Sequence, residues 1–177
     1  TDKAVNPTSV MGVSKRIAEM MMQAKAKTAR TKFMAVRFGN VIGSSGSVIP
    51  IFKQQIENGK PITVTHPEVK RFFMAASEAA QLVMQAGAIG KGGEILILDM
   101  GEQIKILDLA KNLITLSGLK PDEDVEIKFI GLRKGEKMGE ELLLDIEHDK
   151  ATKHDKIYIA QPNSFDPAPL HKDIKIL

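Results

Sequence analysis

The sequence predicts an α/β fold, because amphipathic segments of helical length alternate along the chain with short apolar segments of strand length. The chain has 177 residues, 43% of them hydrophobic. That length suits one hydrophobic core and is short for two ordinary domains. We therefore expect a single globular unit. No segment approaches the roughly 18 to 20 consecutive apolar residues of a membrane helix, so we do not expect a membrane-embedded chain.

The first helix is predicted to begin at Asn6-Pro7-Thr8, which offers a polar cap and a proline suited to the first helical turn. It should run to about Thr28. Apolar side chains three, four or seven residues apart predict one buried stripe, made of Val10, Ile17, Met21 and Ala24. The charged side chains are expected outside that stripe, namely Lys15, Arg16, Glu19 and Lys25.

A buried strand is predicted next, from Lys32 to Phe38, because this run is mostly apolar and of strand length. A glycine- and serine-rich loop follows from Gly39 to Gly46. A second amphipathic helix should then run from Ser47 to Asn58 and end at Gly59. Helix followed by buried strand is typical of an α/β layer.

The rest of the chain continues the alternation as far as the last stretch, Pro162 to Pro169, which is proline-rich and expected to be irregular. The predicted strands are Ile62–Thr65, Glu94–Asp99 and Val125–Ile130, with a further apolar segment at Val69–Met74. The predicted helices are Ser77–Ala86 and Lys105–Ser117, the second closed by Gly118.

Charge and composition argue against several classes of partner. The chain carries 25 basic and 22 acidic side chains, and a net charge of +3 is far from the concentrated positive field that nucleic acid requires. It has no cysteine, and its four histidines show no metal-ligand spacing, so we expect neither disulfides nor a metal site. A cytoplasmic setting fits the absence of cysteine.

Residues 1–15 read Thr-Asp-Lys-Ala-Val-Asn-Pro-Thr-Ser-Val-Met-Gly-Val-Ser-Lys. This block resembles the active-site segment of the UDP-N-acetylglucosamine 4,6-dehydratases of capsule, O-antigen and protein-glycan biosynthesis, a branch of the extended short-chain dehydrogenase/reductase superfamily. Most of the superfamily carries Tyr-x-x-x-Lys here. Met11 stands at the tyrosine position, which departs from the superfamily and matches this branch. Taken alone, Met11 would be core filler, and Asp2 and Lys3 would be solvated loop charge.

The resemblance implies which residues carry the chemistry. Met11 and Lys15 lie four apart and share one helix face, where the lysine can bond the ribose of a nicotinamide cofactor. A thioether cannot exchange a proton, so acid and base work should move to Asp2 and Lys3. We expect Lys3 to remove the sugar C5 proton and Asp2 to protonate the leaving 6-hydroxyl; the reverse order is the alternative.

A second resemblance is carried by Arg37-Phe38-Gly39-Asn40-Val41-Ile42-Gly43, which is similar to the Arg-(Tyr/Phe)-x-Asn-Val-x-Gly segment of the family. It implies that Asn40 is a substrate ligand at the end of a strand; the alternative is a turn asparagine satisfying its own backbone. The segments Val69–Phe73 and Leu132–Lys137 resemble diphosphate- and ribose-binding segments and imply Arg71, Arg133 and Glu136 as substrate ligands. Plain surface charge is the alternative for them. By the same resemblance, Ser47–Lys53 and Ile62–Thr65 would line a uracil pocket.

The resemblance covers about residues 1–145, and it implies the C-terminal half of an extended Rossmann-like fold, with residues 146–177 as an extension. No Gly-x-Gly-x-x-Gly occurs, and the cluster Gly90–Gly93 falls between helix and strand, the wrong order for a cofactor loop. NAD or NADP would therefore be bound mainly by an N-terminal half that this chain lacks.

The resemblance also implies a UDP-sugar substrate and a homo-oligomer of the intact protein. Because the branch includes membrane-anchored and soluble enzymes, an upstream anchor is an open alternative. Two other functions stay open: a nucleotide-sugar 4-epimerase or reductase of the same fold, and a UDP-sugar-binding module without catalysis.

Overall fold

A computed structural model describes residues 1–144, 148–161, 167–174 and residue 176. The chain divides into two compact units rather than the single unit expected from its length. Unit 1 comprises Thr1–Phe38, Ala80–Asp99 and Glu141–Leu177, and unit 2 comprises Gly39–Ala79 and Met100–Glu140. Each unit buries its own apolar cluster, which is why a chain of this length separates in two. The predicted boundary at residue 145 stays a prediction.

The helices follow the predicted alternation closely, and a short 3₁₀ turn, Asp2–Ala4, precedes the first of them. They are α1 Val10–Ala26, α2 Val48–Glu57, α3 Ala76–Ile89, α4 Ile106–Leu116 and α5 Pro167–Ile174. The expectation of an irregular stretch is wrong where α5 begins, because proline is tolerated in the first turn of a helix, where its missing N–H costs no hydrogen bond. Residues 162–166 lie outside the described residues. Among the helices described, none is long and apolar enough to cross a membrane.

The strands are short, and several of the predicted ones lose a residue or more at their ends. They are β1 Ala35–Arg37, β2 Asn40–Val41, β3 Ile62–Val64, β4 Lys70–Arg71, β5 Phe73–Met74, β6 Ile95–Leu98, β7 Ile104–Lys105, β8 Ile127–Phe129, β9 His148–Ala151 and β10 Ile157–Gln161.

In unit 1 the strands form one sheet in the order β1-β6-β10-β9. β1 runs parallel to β6, with Val36 opposite Leu96, and β10 runs antiparallel to β6. All four residues of β6 are buried, as its continuous apolar run predicted. β9 and β10 were not predicted from the sequence pattern, and part of the expected extension therefore completes this sheet.

Unit 2 contains three pairs of short strands and one apolar core. β2 pairs with β5 and β3 with β8, both in parallel, and β4 pairs with β7 in antiparallel fashion. The loop expected at Gly39–Gly46 therefore contains a strand, and the apolar segment Val69–Met74 holds two. The core combines α2, β3 and α4 and consists of Phe52, Ile62, Val64, Val69, Ile106, Ala110, Ile114 and Val125.

The buried face of α1 differs from the predicted stripe. The helix begins at Val10, and its cap is Ser9, whose Oγ accepts a hydrogen bond from Gly12 N at 3.1 Å. Val10 and Met21 are exposed, and the buried residues are Gly12, Glu19, Gln23 and Ala24. The stripe was wrong because Glu19, a charged residue, is paired inside the unit with an arginine of β1.

Candidate functional site

In unit 1 the 3₁₀ turn brings the expected acid and base into direct contact. The Lys3 ammonium donates hydrogen bonds to both carboxylate oxygens of Asp2, at 3.0 and 2.8 Å from Nζ. Asp2 is only 5% exposed. The Thr1 hydroxyl donates to Asp2 Oδ1 at 3.3 Å, and Asp2 N donates to the carbonyl of Phe38 just after β1 at 3.4 Å. A buried carboxylate paired this closely is not the solvated loop charge of the alternative interpretation.

Gly12, which the sequence analysis gave no role, sets how closely α1 approaches this turn. A β-carbon at position 12 would lie 2.7 Å from the Lys3 carbonyl oxygen and 3.0 Å from Pro7 Cβ. Any side chain there would push the helix and the turn apart. A glycine inside a helix, where it costs about 0.5–1 kcal/mol relative to alanine, is the signal that could have revealed the close approach.

Met11 and Lys15 both lie on α1 with exposed side chains. Met11 is 54% exposed, so it does not fill the core of this chain. Their spacing of four residues places them one turn apart on the helix that follows the Asp2–Lys3 turn. The catalytic roles of Met11 and Lys15, and the cofactor contact of Lys15, stay predictions.

A buried ion pair ties α1 to β1. Arg37, at 0% exposure, donates from Nε to Glu19 Oε1 and from Nη2 to Glu19 Oε2, each at 2.8 Å. Nη1 of Arg37 also donates to the Leu142 carbonyl at 3.1 Å, and Arg16 donates to Glu19 at 3.0 Å. Two parallel bonds between planar groups fix direction as well as distance. The pair therefore sets the orientation of the helix that carries Met11 and Lys15.

In unit 2 Asn40 is the first residue of β2, and its side chain reaches distant segments. Its Nδ2 donates to the Phe72 carbonyl at 3.1 Å and to Glu140 Oε1 at 3.0 Å. These partners are 32 and 100 residues away in sequence. The alternative of a turn asparagine satisfying its own backbone is therefore wrong.

Arg71 and Glu136 meet in the same network. Arg71 Nη2 lies 3.0 Å from Glu136 Oε1, and Arg71 Nε lies 3.6 Å from Glu140 Oε1. Glu136 also accepts a hydrogen bond from the Thr65 hydroxyl at 3.0 Å and one from Arg133 N at 3.1 Å. Arg71 is thus a partly buried member of a charge network and not plain surface charge. The Arg133 side chain is exposed, and only its backbone takes part in the bond to Glu136.

Glu140 connects the predicted ligands, although the sequence analysis did not single it out. Besides the hydrogen bond from Asn40 and the ion pair with Arg71, it accepts a hydrogen bond from Phe72 N at 3.0 Å. Its own backbone is held by Gln103, with bonds of 2.9 Å to its N–H and 3.0 Å to its carbonyl. The pattern around it, Gly-Glu-Glu-Leu, carries no distinctive signal by itself. Asn40, Arg71 and Glu136 therefore lie in one cluster of hydrogen bonds and ion pairs in unit 2.

The glycine cluster Gly90–Gly93 is already engaged. The backbone amides of Lys91 and Gly92 donate to the Glu94 carboxylate, at 2.8 and 2.5 Å. The Glu94 carboxylate thus occupies the two backbone N–H donors that a phosphate would need. Within the described ranges, no three histidine, aspartate or glutamate side chains lie close enough together to hold a metal ion.

Residues 1–162 match the sequence profile of the family described as "Polysaccharide biosynthesis protein". The capsular polysaccharide biosynthesis protein CapD of Staphylococcus aureus is 59% identical over 89% of this chain, which corresponds to 26% of CapD. The UDP-glucose 4-epimerase of Rickettsia canadensis is 40% identical over 85% of this chain and 44% of its own length. The chain thus spans about a quarter of CapD and less than half of the epimerase.

Two of the solved structures that are similar to this chain show its fold. Pen from Bacillus thuringiensis matches with a TM-score of 0.74 at 30% identity, over 99% of this chain and 60% of Pen. DesIV, a dTDP-glucose 4,6-dehydratase from Streptomyces venezuelae solved with NAD and TYD bound, matches with a TM-score of 0.68 at 20% identity, over 76% and 42%. They confirm the predicted α/β, Rossmann-like fold of the short-chain dehydrogenase/reductase type. With its profile match extending over residues 1–162, the chain belongs to the polysaccharide biosynthesis protein family.

Proposed function

We propose that this chain is the substrate-binding and acid–base part of an enzyme that removes water from UDP-N-acetylglucosamine, giving a 4-keto-6-deoxy sugar nucleotide with the help of NAD or NADP. The single observation that carries the proposal is the Asp2–Lys3 pair, with both carboxylate oxygens within 3.0 Å of the amine at the foot of α1. Membership of a polysaccharide biosynthesis family supports a nucleotide-sugar substrate.

The pair can act without a net gain or loss of protons. In this order of roles, one proton has to pass from Lys3 Nζ to Asp2 Oδ2, which lie 2.8 Å apart, so that a neutral amine stands beside a carboxylic acid. The amine then takes the proton from sugar C5, and the acid gives its proton to the 6-hydroxyl, which leaves as water. The ion pair is restored, and the substrate has lost one water.

The nicotinamide cofactor, when bound, supplies the hydride acceptor for C4 and the hydride donor for C6. The exposed amine of Lys15 on α1 fits a contact with its ribose. In unit 2, Arg71 has the planar fork that suits a diphosphate, and Glu136 with Thr65 offers acceptors and a hydroxyl for the ribose. Arg133 has an exposed side chain, whose guanidinium suits contact with an anion.

The proposal is tested on a longer protein in which this chain is joined to a dinucleotide-binding half. We expect it to convert UDP-N-acetylglucosamine into a product lighter by one water, detected by mass spectrometry. Asp2→Asn and Lys3→Met should each lower kcat about 100-fold or more, the usual contribution of a general acid or base. Glu57→Gln, on the exposed end of α2, is the matched control. A double variant at Asp2 and Lys3 that kept full activity would sink the assignment.

A 4-epimerase is the second candidate, favoured by the 40% identity to the Rickettsia canadensis UDP-glucose 4-epimerase. Its product would have the mass of its substrate, so the same mass spectrum separates the two reactions. The 177-residue chain alone should show no NAD(P)-dependent turnover, because it has no glycine loop for the pyrophosphate. Homo-oligomer formation and a cytoplasmic location stay predictions.

A further inference from the structure

Glu140 is a buried carboxylate, 7% exposed, on which three segments of unit 2 converge. It accepts hydrogen bonds from the Asn40 amide and the Phe72 backbone and forms an ion pair with Arg71. Taking a carboxylate out of water is costly unless donors compensate it. The bonds from Gln103 to its backbone hold it where those donors meet.

Resting on the proposed function, we propose that Glu140 is a positioning residue of the sugar-nucleotide site, which acts through Asn40 and Arg71 and does not itself touch the substrate. The Asn40 nitrogen faces two acceptors, the Phe72 carbonyl and the Glu140 carboxylate, so the orientation of its amide group is determined. Without the carboxylate, that amide could turn over and present the opposite polarity to a ligand.

Arg71 is held from two sides that differ in exposure. Glu140 faces Nε of Arg71, and the Glu140 side chain is 6% exposed. Glu136 faces Nη2 of Arg71, and its side chain is 18% exposed. The more accessible carboxylate is the one that phosphate oxygens can replace. Glu140 then keeps the guanidinium plane of Arg71 in place while a phosphate oxygen replaces Glu136 at Nη2. The guanidinium is therefore already oriented for the diphosphate before it binds.

From charge alone, removal of Glu140 should have the opposite effect on the affinity for UDP. One arginine lies between two carboxylates, so loss of one negative charge should strengthen the attraction for a diphosphate. If positioning dominates, the loss should weaken binding instead. The sign of the change in UDP affinity therefore separates the two explanations.

The experiment measures the Kd of UDP by calorimetry for the wild type, Glu140→Gln and the control Glu57→Gln. We expect Kd to rise about tenfold or more in Glu140→Gln, because the ion pair with Arg71 and the charge-assisted hydrogen bond from Asn40 are both weakened, and to stay unchanged in the control. In an Arg71→Ala background, Glu140→Gln should raise the Kd of UDP only about twofold, because the arginine that Glu140 positions is absent. A merely structural role would give the same factor in both backgrounds. If Glu140→Gln does not fold, Gln103→Ala replaces it, since it loosens the Glu140 backbone without removing a charge.

The outcomes distinguish this inference from the function on which it rests. A wild type that binds no UDP overturns the proposed function, and the role of Glu140 with it. A wild type that binds UDP, with Glu140→Gln binding as tightly or more tightly, overturns only the positioning role. Non-additivity with Arg71→Ala, together with an altered Arg71 Nε–H resonance in the free variant, supports it.

Discussion

Replacing Gly12 by alanine tests the close approach of α1 to the Asp2–Lys3 turn, since two effects of opposite sign compete there. Alanine favours a helix by about 1 kcal/mol over glycine. Its β-carbon, however, would lie 2.7 Å from the Lys3 carbonyl oxygen, a backbone atom that cannot rotate away. Overpacking of this kind costs about 1–3 kcal/mol, and a backbone clash belongs at the upper end. We expect a net loss of about 1–2 kcal/mol.

The assay is thermal unfolding followed by circular dichroism. For a chain of this size, that loss corresponds to a fall in Tm of about 2–8 °C. Gly87→Ala in α3 is the matched control, because nothing lies within 4 Å of the β-carbon it would add. The control should raise Tm. If Gly12→Ala raised Tm as Gly87→Ala does, the helix would not press on the turn as described.

Two further predictions concern ion pairs of contrasting burial. Glu19→Ala leaves the buried Arg37 guanidinium without its carboxylate and should cost about 3–5 kcal/mol in urea unfolding, whereas Glu123→Ala, in a pair whose glutamate is 68% exposed, should change stability by less than about 0.5 kcal/mol. Equal costs for the two variants would contradict this assignment. Lys105 lowers the pKa of Glu68 through a hydrogen bond and then through its charge. The small stabilisation that the Glu68–Lys105 pair gives the folded state is present above the unfolded-state pKa of Glu68. It is lost as the pH falls through the lowered folded-state pKa of Glu68. Lys105→Met should raise the pKa of Glu68 toward its ordinary range in a carboxyl NMR titration; an unchanged pKa would show that Lys105 is not the cause.

Elements whose pattern is complete within a few residues were predictable. α4 carries its own apolar face and ends before Gly118, whose φ of +77° suits a residue without a side chain. β6 is a continuous apolar run, and burial on both faces requires such a run. The resemblance of the block from Thr1 to Lys15 also rests on neighbouring residues, Asp2, Lys3, Met11 and Lys15, and the catalytic roles that it implies stay predictions.

Elements that depend on a distant partner were not predictable from local pattern. β10 is recognisable through its pairing with β6, about 60 residues earlier. The buried face of α1 was misassigned because hydrophobic periodicity assumes that burial follows apolar character. Glu19 is buried because Arg37, 18 residues away, compensates its charge.

The sequence by itself determined the α/β fold class and indicated a polysaccharide biosynthesis family, whereas the catalytic and substrate-binding roles that it implies stay predictions. It did so because helical periodicity, buried runs and short motifs are local properties of the chain. Only the tertiary structure decided that the ammonium of Lys3 rests on the carboxylate of Asp2, and that Glu140 joins Asn40 to Arg71 across separations of 100 and 69 residues. Such contacts depend on how distant segments fold together, and no spacing along the chain encodes that geometry.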